Sequence, residues 1–211
     1  MKASNLARSL LALFLAVLAS ASGSGKSEIT ADQLLKIVPK SKTCDNPPAP
    51  GECATAEQAA PFINTSFDTY HVTSPAEKAA VISLMAFESD DFKYNKNHFP
   101  GRPGQGTRNM QMPPYNLKYA ESISELSDKL GPVRDDPSKV LDLLLSDEKY
   151  DFGSGAWFLT SHCSSDVRDA LKTGSEAGWK KYISDCVGTT ATDDRKAYWT
   201  RAAQALGVGS D

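Results

Sequence analysis

The sequence predicts a mainly α-helical domain, and three features point to that class. Several segments open with capping boxes, such as Thr30 with Gln33 and Thr55 with Gln58. The segment that starts at Ser74 is apolar around nearly its whole circumference, which is typical of a helix buried in a core. No segment shows the strand–helix alternation that a parallel sheet requires. At most a small β-hairpin is expected, within residues 105–112.

The elements follow from local start and stop signals. The helix after Thr30 ends at Pro39, and the helix after Thr55 is interrupted or bent near Pro61. The third helix has the clearest start, because Ser74-Pro75-Ala76-Glu77 combines a cap, a first-turn proline and a glutamate that reaches back. An irregular loop over residues 90–116 follows, and its aromatic residues argue against disorder.

The remainder of the chain is predicted to be helical. One helix covers residues 116–130, and the next begins at Asp136-Pro137. A further helical segment follows Gly155, and the one after it breaks near Gly174. The last helix is capped by Thr192 and ended by Gly207.

The N-terminus has the three parts of a secretory signal. Basic Lys2 and Arg8 precede the apolar run Leu10–Leu18, and a small-x-small cleavage site follows at residues 19–21. We expect residues 1–21 to be a signal peptide and the mature protein to be secreted and extracellular. Residues 22–72 are expected to form a helical extension packed on a main domain at 73–211, because so short a stretch makes a poor core alone.

Charge and cysteine content limit the kinds of partner and of covalent cross-link that are expected. The chain has a formal net charge of −3, and cleavage after residue 21 makes it −5, so neither nucleic acid nor an anionic membrane is expected as a partner. The four cysteines point to disulfides in a secreted chain. Of the three pairings, we favour Cys44–Cys53 with Cys163–Cys186; a zinc site is the weaker alternative, because no CxxC pair occurs. Asn64-Thr65-Ser66 is an N-glycosylation acceptor.

Glu88 is the candidate catalytic residue. It lies at the end of the apolar third helix, where partial burial raises a carboxyl pKa and suits a general acid. The alternative is a solvated helix-end residue with no role. Asp91 is the candidate second carboxylate, with ordinary loop solvation as its alternative.

The pattern Glu88-Ser89, followed by Gly104 to Gln111 with its Met-Gln pair, resembles the lysozyme superfamily. The resemblance is to the soluble lytic transglycosylase and goose-type branch and to secreted fungal muramidases, and it covers residues 74–120. It implies a lysozyme-like helical domain with a long cleft loop. It also implies a muramidase that cleaves the β-1,4 bond of peptidoglycan, with Glu88 protonating the leaving oxygen.

The same resemblance suggests substrate-binding residues along the loop. Asn109 and Gln111 can hydrogen-bond acetamido and hydroxyl groups, or can satisfy loop backbone instead, and Thr107 belongs to the same polar segment. The aromatic residues Tyr94, Tyr115 and Trp157 are candidates for stacking on sugar faces, although such residues are more often part of a core.

Other functions remain open at this point. The same fold could act on chitin or chitosan, or could be a non-catalytic secreted carbohydrate-binding protein. The three histidines, His71, His98 and His162, are scattered without metal-ligand spacing. We therefore expect a monomer with no metal and no cofactor, whose partner is peptidoglycan or a related amino-sugar polysaccharide.

Overall fold

The computed structural model describes residues 28–209, and the expected signal peptide lies outside this range. The mainly helical fold class is confirmed. Only two isolated antiparallel bridges, Lys96 to Gly106 and Gly106 to Gln111, occur in this range. The α-helices are α1 (Ala31–Ile37), α2 (Ala56–Thr69), α3 (Pro75–Glu88), α4 (Pro113–Glu121), α5 (Ser127–Leu130), α6 (Pro137–Leu144), α7 (Glu148–His162), α8 (Ser165–Lys172), α9 (Glu176–Lys181) and α10 (Asp193–Ala205). A π-helical turn (Tyr182–Val187) follows α9.

Helix α3 is the centre of the fold, as its apolar circumference predicts. Ten of its fourteen residues are buried, and it packs against α7, α8 and α10. Ser74 occupies the N-cap position without a side-chain capping bond. Glu77 does not reach back to it; its Oε1 instead accepts a hydrogen bond from Arg168 Nε of α8 at 2.8 Å. Burial of Glu77 beside a cation therefore outweighs the capping box expected from the sequence.

Both N-terminal helices begin as expected. Thr30 and Thr55 each form a complete capping box. Pro61 lies inside α2 without interrupting it. Helix α1 packs on α10 and α2, and α2 packs on α7, so both helices contribute to the main hydrophobic core. The expected boundary at residue 72, between the N-terminal extension and the main domain, stays a prediction.

A second hydrophobic cluster lies between α4, α6 and α7. The predicted helix over 116–130 is divided here into α4, a 3-10 turn (Ser124–Leu126) and α5. The two favoured disulfides are both present, Cys44–Cys53 and Cys163–Cys186. The second one ties the C-terminal end of α7 to the π-helical turn.

Candidate functional site

The chain leaves α3 through an unusual backbone conformation. Asp90, Asp91 and Phe92 have φ values of 47°, 58° and 63°, a left-handed region that costs free energy for residues other than glycine. Thr107 and Met110 later in the same loop share this conformation. Clustered strain of this kind is typical of functional sites, and it marks the loop over residues 89–112, called here the cleft loop.

A buried ion pair fastens the cleft loop to α7. The guanidinium of Arg108 is fully buried, and its Nε lies 2.9 Å from Asp151 Oδ2. Its Nη1 donates to the carbonyl oxygens of Phe92 and Tyr94, and its plane lies over the Phe152 ring. One side chain thus holds the beginning and the end of the loop together.

Burial dominates the titration of Asp151. Desolvation raises its pKa from 3.8 to about 6, and the nearby Glu148 adds to the rise. Arg108 and a hydrogen bond from Asn95 Nδ2 act in the opposite direction. The anchor of the cleft loop therefore contains a carboxyl group that is costly to ionise.

The cleft loop, α3 and α10 enclose a cleft with two lobes. The first lobe has a volume of about 310 Å³, and the second a volume of about 360 Å³. Three residues line both lobes, Glu88, Gln105 and Met110, so the lobes form one elongated groove. The first lobe is also lined by Leu84, Asn109, Gln111, Met112, Tyr115, Phe158, Val187, Thr189 and Arg195. The second is also lined by Phe87, Asp90, Tyr94, Lys96, Asn97, His98 and Phe99.

Glu88 lies where the two lobes meet, and it is paired with a cation. Arg195 Nη2, from the first turn of α10, donates to Glu88 Oε1 at 2.9 Å. The Arg195 guanidinium also lies over the Phe87 ring, 4.5 Å from its centroid. Arg195 therefore already engages the Glu88 carboxyl group where the two lobes meet.

Three polar atoms of the groove residues are buried without a partner among the described residues. They are Asn109 Oδ1, Gln111 Oε1 and Arg195 Nε. Unpaired buried polar atoms are rare in folded proteins and call for an explanation. Two of the three are acceptors and one is a donor.

The groove contains five of the eight residues that the sequence suggested for catalysis and binding: Glu88, Asn109, Gln111, Tyr94 and Tyr115. The other three line neither lobe. Asp91 is only 2% exposed and accepts a hydrogen bond from Tyr198 OH at 2.5 Å. Thr107 is buried, and its hydroxyl donates to the Gly106 carbonyl. Trp157 belongs to the second hydrophobic cluster.

Three other sequence features can be placed. Asn64 lies within α2, and its amide group exchanges two hydrogen bonds with the backbone of Ile29. Among residues 28–209, no group of three or more His, Cys, Asp or Glu side chains could hold a metal ion. Within the same range, no helix is both long and apolar enough to span a membrane.

Sequence reasoning missed most of the wall opposite the cleft loop. Arg195 lies 107 residues from Glu88, and Phe158 and Val187 come from α7 and the π-helical turn. No local signal distinguishes these residues from ordinary helix residues. The left-handed backbone of residues 90–92 after α3 could not be predicted either, since none of these residues is a glycine.

Comparison with known proteins gives one informative similarity. The chain is 53% identical over 157 residues to a curated protein of Fusarium oxysporum (strain Fo5176) named a bifunctional dioxygenase (DOX)-epoxy alcohol synthase (EAS). The aligned region is 72% of this chain and 12% of the relative. The chain therefore corresponds to a small part of a much longer protein. No protein-family model matches the chain, and no solved structure matches it.

This similarity contradicts the functional expectations drawn from the sequence. The Glu-Ser and Met-Gln pattern is short, whereas the identity to a protein named for oxygenation and epoxy alcohol formation extends over 157 residues. The resemblance to the lysozyme superfamily is therefore wrong, and so are the glycosidase class, the activity on peptidoglycan or chitin and the amino-sugar partner. In the structure Asp91, the expected second carboxylate, is buried and lines neither lobe of the groove.

Proposed function

We propose that this chain is a secreted ligand-binding domain whose groove takes an oxygenated fatty acid of the epoxy alcohol class. The observation that carries the proposal is the mixed chemistry of the groove: apolar side chains lie in both lobes, and the polar residues Glu88 and Gln105 lie where the lobes meet. The name of the relative supplies the ligand class. Because the chain corresponds to only 12% of that relative, we propose binding and not the relative's reactions.

Each lobe contains apolar side chains that suit one hydrocarbon arm of such a molecule, beside the polar residues that also line it. Leu84, Phe158 and Val187 face the first lobe, while Phe87 and Phe99 face the second. Each lobe falls in the size range of small-molecule sites. Burial of one methylene group in such a lobe contributes about 0.8 kcal/mol, so even a few carbons on each side would give measurable affinity.

The polar centre suits oxygen atoms in the middle of the chain. The Glu88 carboxylate, where the lobes meet, can accept the hydroxyl hydrogen of an epoxy alcohol, and the Arg195 guanidinium in the first lobe can donate to its epoxide oxygen. A hydrogen bond to a charged group contributes about 1.5–3 kcal/mol. The centre therefore discriminates between the oxygenated molecule and its unoxygenated parent.

Replacement of Arg195 by methionine tests this assignment. Isothermal titration calorimetry with an epoxy alcohol of an 18-carbon fatty acid should show about 10- to 100-fold weaker binding for Arg195→Met than for the wild type. Arg134→Met is the matched control, because Arg134 pairs with Glu121 and lines neither lobe. Circular dichroism checks that both variants are folded. Equal affinity of Arg195→Met and the wild type would contradict the proposal.

A further inference from the structure

The groove has two exposed hydrophobic side chains at its edge, Phe99 and Met112, which are called the rim here. Within residues 28–209, two large hydrophobic side chains are exposed, Phe99 at 81% and Met112 at 36%. Phe99 lines the second lobe and Met112 lines the first. Exposed hydrophobic residues scattered singly need no explanation, but here each lines one lobe of the same groove.

Phe99 is presented by a short exposed tip, residues 98–103. The tip is tied to its base by Asn97, whose Oδ1 accepts hydrogen bonds from the backbone amides of Gly101 and Arg102. The rings of Tyr94 and Phe99 meet edge to face. These contacts hold the tip in a defined shape, so the exposure of Phe99 is a feature of the fold.

A cation on the same tip as Phe99 contacts Met112. Arg102 Nη1 is 2.9 Å from Met112 Sδ, and no carboxylate lies within 4 Å of its guanidinium among the described residues. The neighbouring Lys96 and His98 are paired with Asp142 and Glu52. The rim therefore combines apolar side chains with one cation that has no acidic partner, which matches the acyl and phosphate layers of a phospholipid surface.

We propose that the tip at residues 98–103 and Met112 form a contact site for a phospholipid surface. Phe99 and Met112 enter the boundary between headgroups and acyl chains, and Arg102 pairs with a lipid phosphate. The contact places the mouth of the groove against the bilayer, where fatty acids partition. This last step rests on the proposed function, whereas the surface contact itself does not.

Vesicle sedimentation tests the contact without any groove ligand. The wild-type protein should sediment with phosphatidylcholine vesicles, and more strongly with vesicles that also contain phosphatidylglycerol. Phe99→Ser should weaken the partition coefficient by about tenfold or more, since it removes most of a buried aromatic side chain. Phe99→Trp should retain binding, and its fluorescence should shift to shorter wavelength when vesicles are added.

Charge reversal provides a second and independent readout. Arg102→Glu should weaken sedimentation with the anionic vesicles by about fivefold or more. Lys129→Glu makes the same charge change on α5, away from the rim, and should have little effect. Failure of the wild type to sediment with either vesicle would overturn the inference, as would equal losses for these two variants. Dimerisation through Phe99 without vesicles would overturn it as well.

Calorimetry of the epoxy alcohol without vesicles separates this inference from the proposed function. Calorimetry of Phe99→Ser measures whether Phe99 contributes to binding in the groove. Sedimentation of the same variant measures whether Phe99 contributes to binding of the vesicle surface. If the epoxy alcohol binds and vesicles do not, the surface contact fails while the proposed function stands. The opposite pattern retains the contact and refutes the groove ligand.

Discussion

Replacement of Asp151 by asparagine removes the titrating group from the anchor of the cleft loop. Burial raises the pKa of Asp151 from 3.8 to about 6 in the folded protein. Between these two pH values the folded state holds a proton that the unfolded state has released, so this group makes the fold less stable as the pH rises. The difference between the two pKa values corresponds to about 3 kcal/mol of the free energy of unfolding, which is lost as the pH rises from about 4 to about 6.

Urea unfolding from pH 3.5 to pH 7 measures this effect. An asparagine side chain does not titrate, so the free energy of unfolding of Asp151→Asn relative to the wild type should shift in favour of the variant by about 3 kcal/mol across this range. A constant difference would show that Asp151 has no raised pKa. A shift in favour of the wild type would show that attraction to Arg108 outweighs the cost of burial.

Two other substitutions test the packing of the C-terminal helices. Gly178→Ala should lower the free energy of unfolding by about 3 kcal/mol, because its Cβ would lie 2.0 Å from the Ala170 carbonyl oxygen; Gly131→Ala, with nothing within 4 Å, is the matched control. A double replacement of Cys163 and Cys186 by alanine should cost about 3 kcal/mol in thermal or urea unfolding, because the disulfide closes a loop with a sequence separation of 23. Unchanged stability in either case would refute the packing or the loop argument.

Local patterns predicted the helices well, because capping residues act within one turn. Thr30 and Thr55 form the boxes that their sequences suggest. The burial of α3 was also readable from its apolar circumference. The capping role expected of Glu77 was wrong, since Glu77 pairs instead with Arg168, which is 91 residues away.

Only part of the site could be predicted from the sequence, because some of its contacts join residues that are far apart in the chain. The cleft loop could be located by its irregular composition, and Glu88 by its place at the end of α3. Arg195 and Arg108 gave no signal, because an arginine in a sequence is normally a surface residue and only tertiary contacts bury it. The wrong reaction class came from the short Glu-Ser and Met-Gln pattern, which the identity over 157 residues overturned.

The selectivity of the wild-type groove for oxygenated fatty acids can be measured without any variant. Titration calorimetry should compare an epoxy alcohol of an 18-carbon fatty acid with the parent fatty acid, below their critical micelle concentrations. The epoxy alcohol should bind at least about tenfold more tightly, since the polar centre contributes one or more hydrogen bonds to charged groups. Equal affinity for both molecules, or no binding of either, would contradict it.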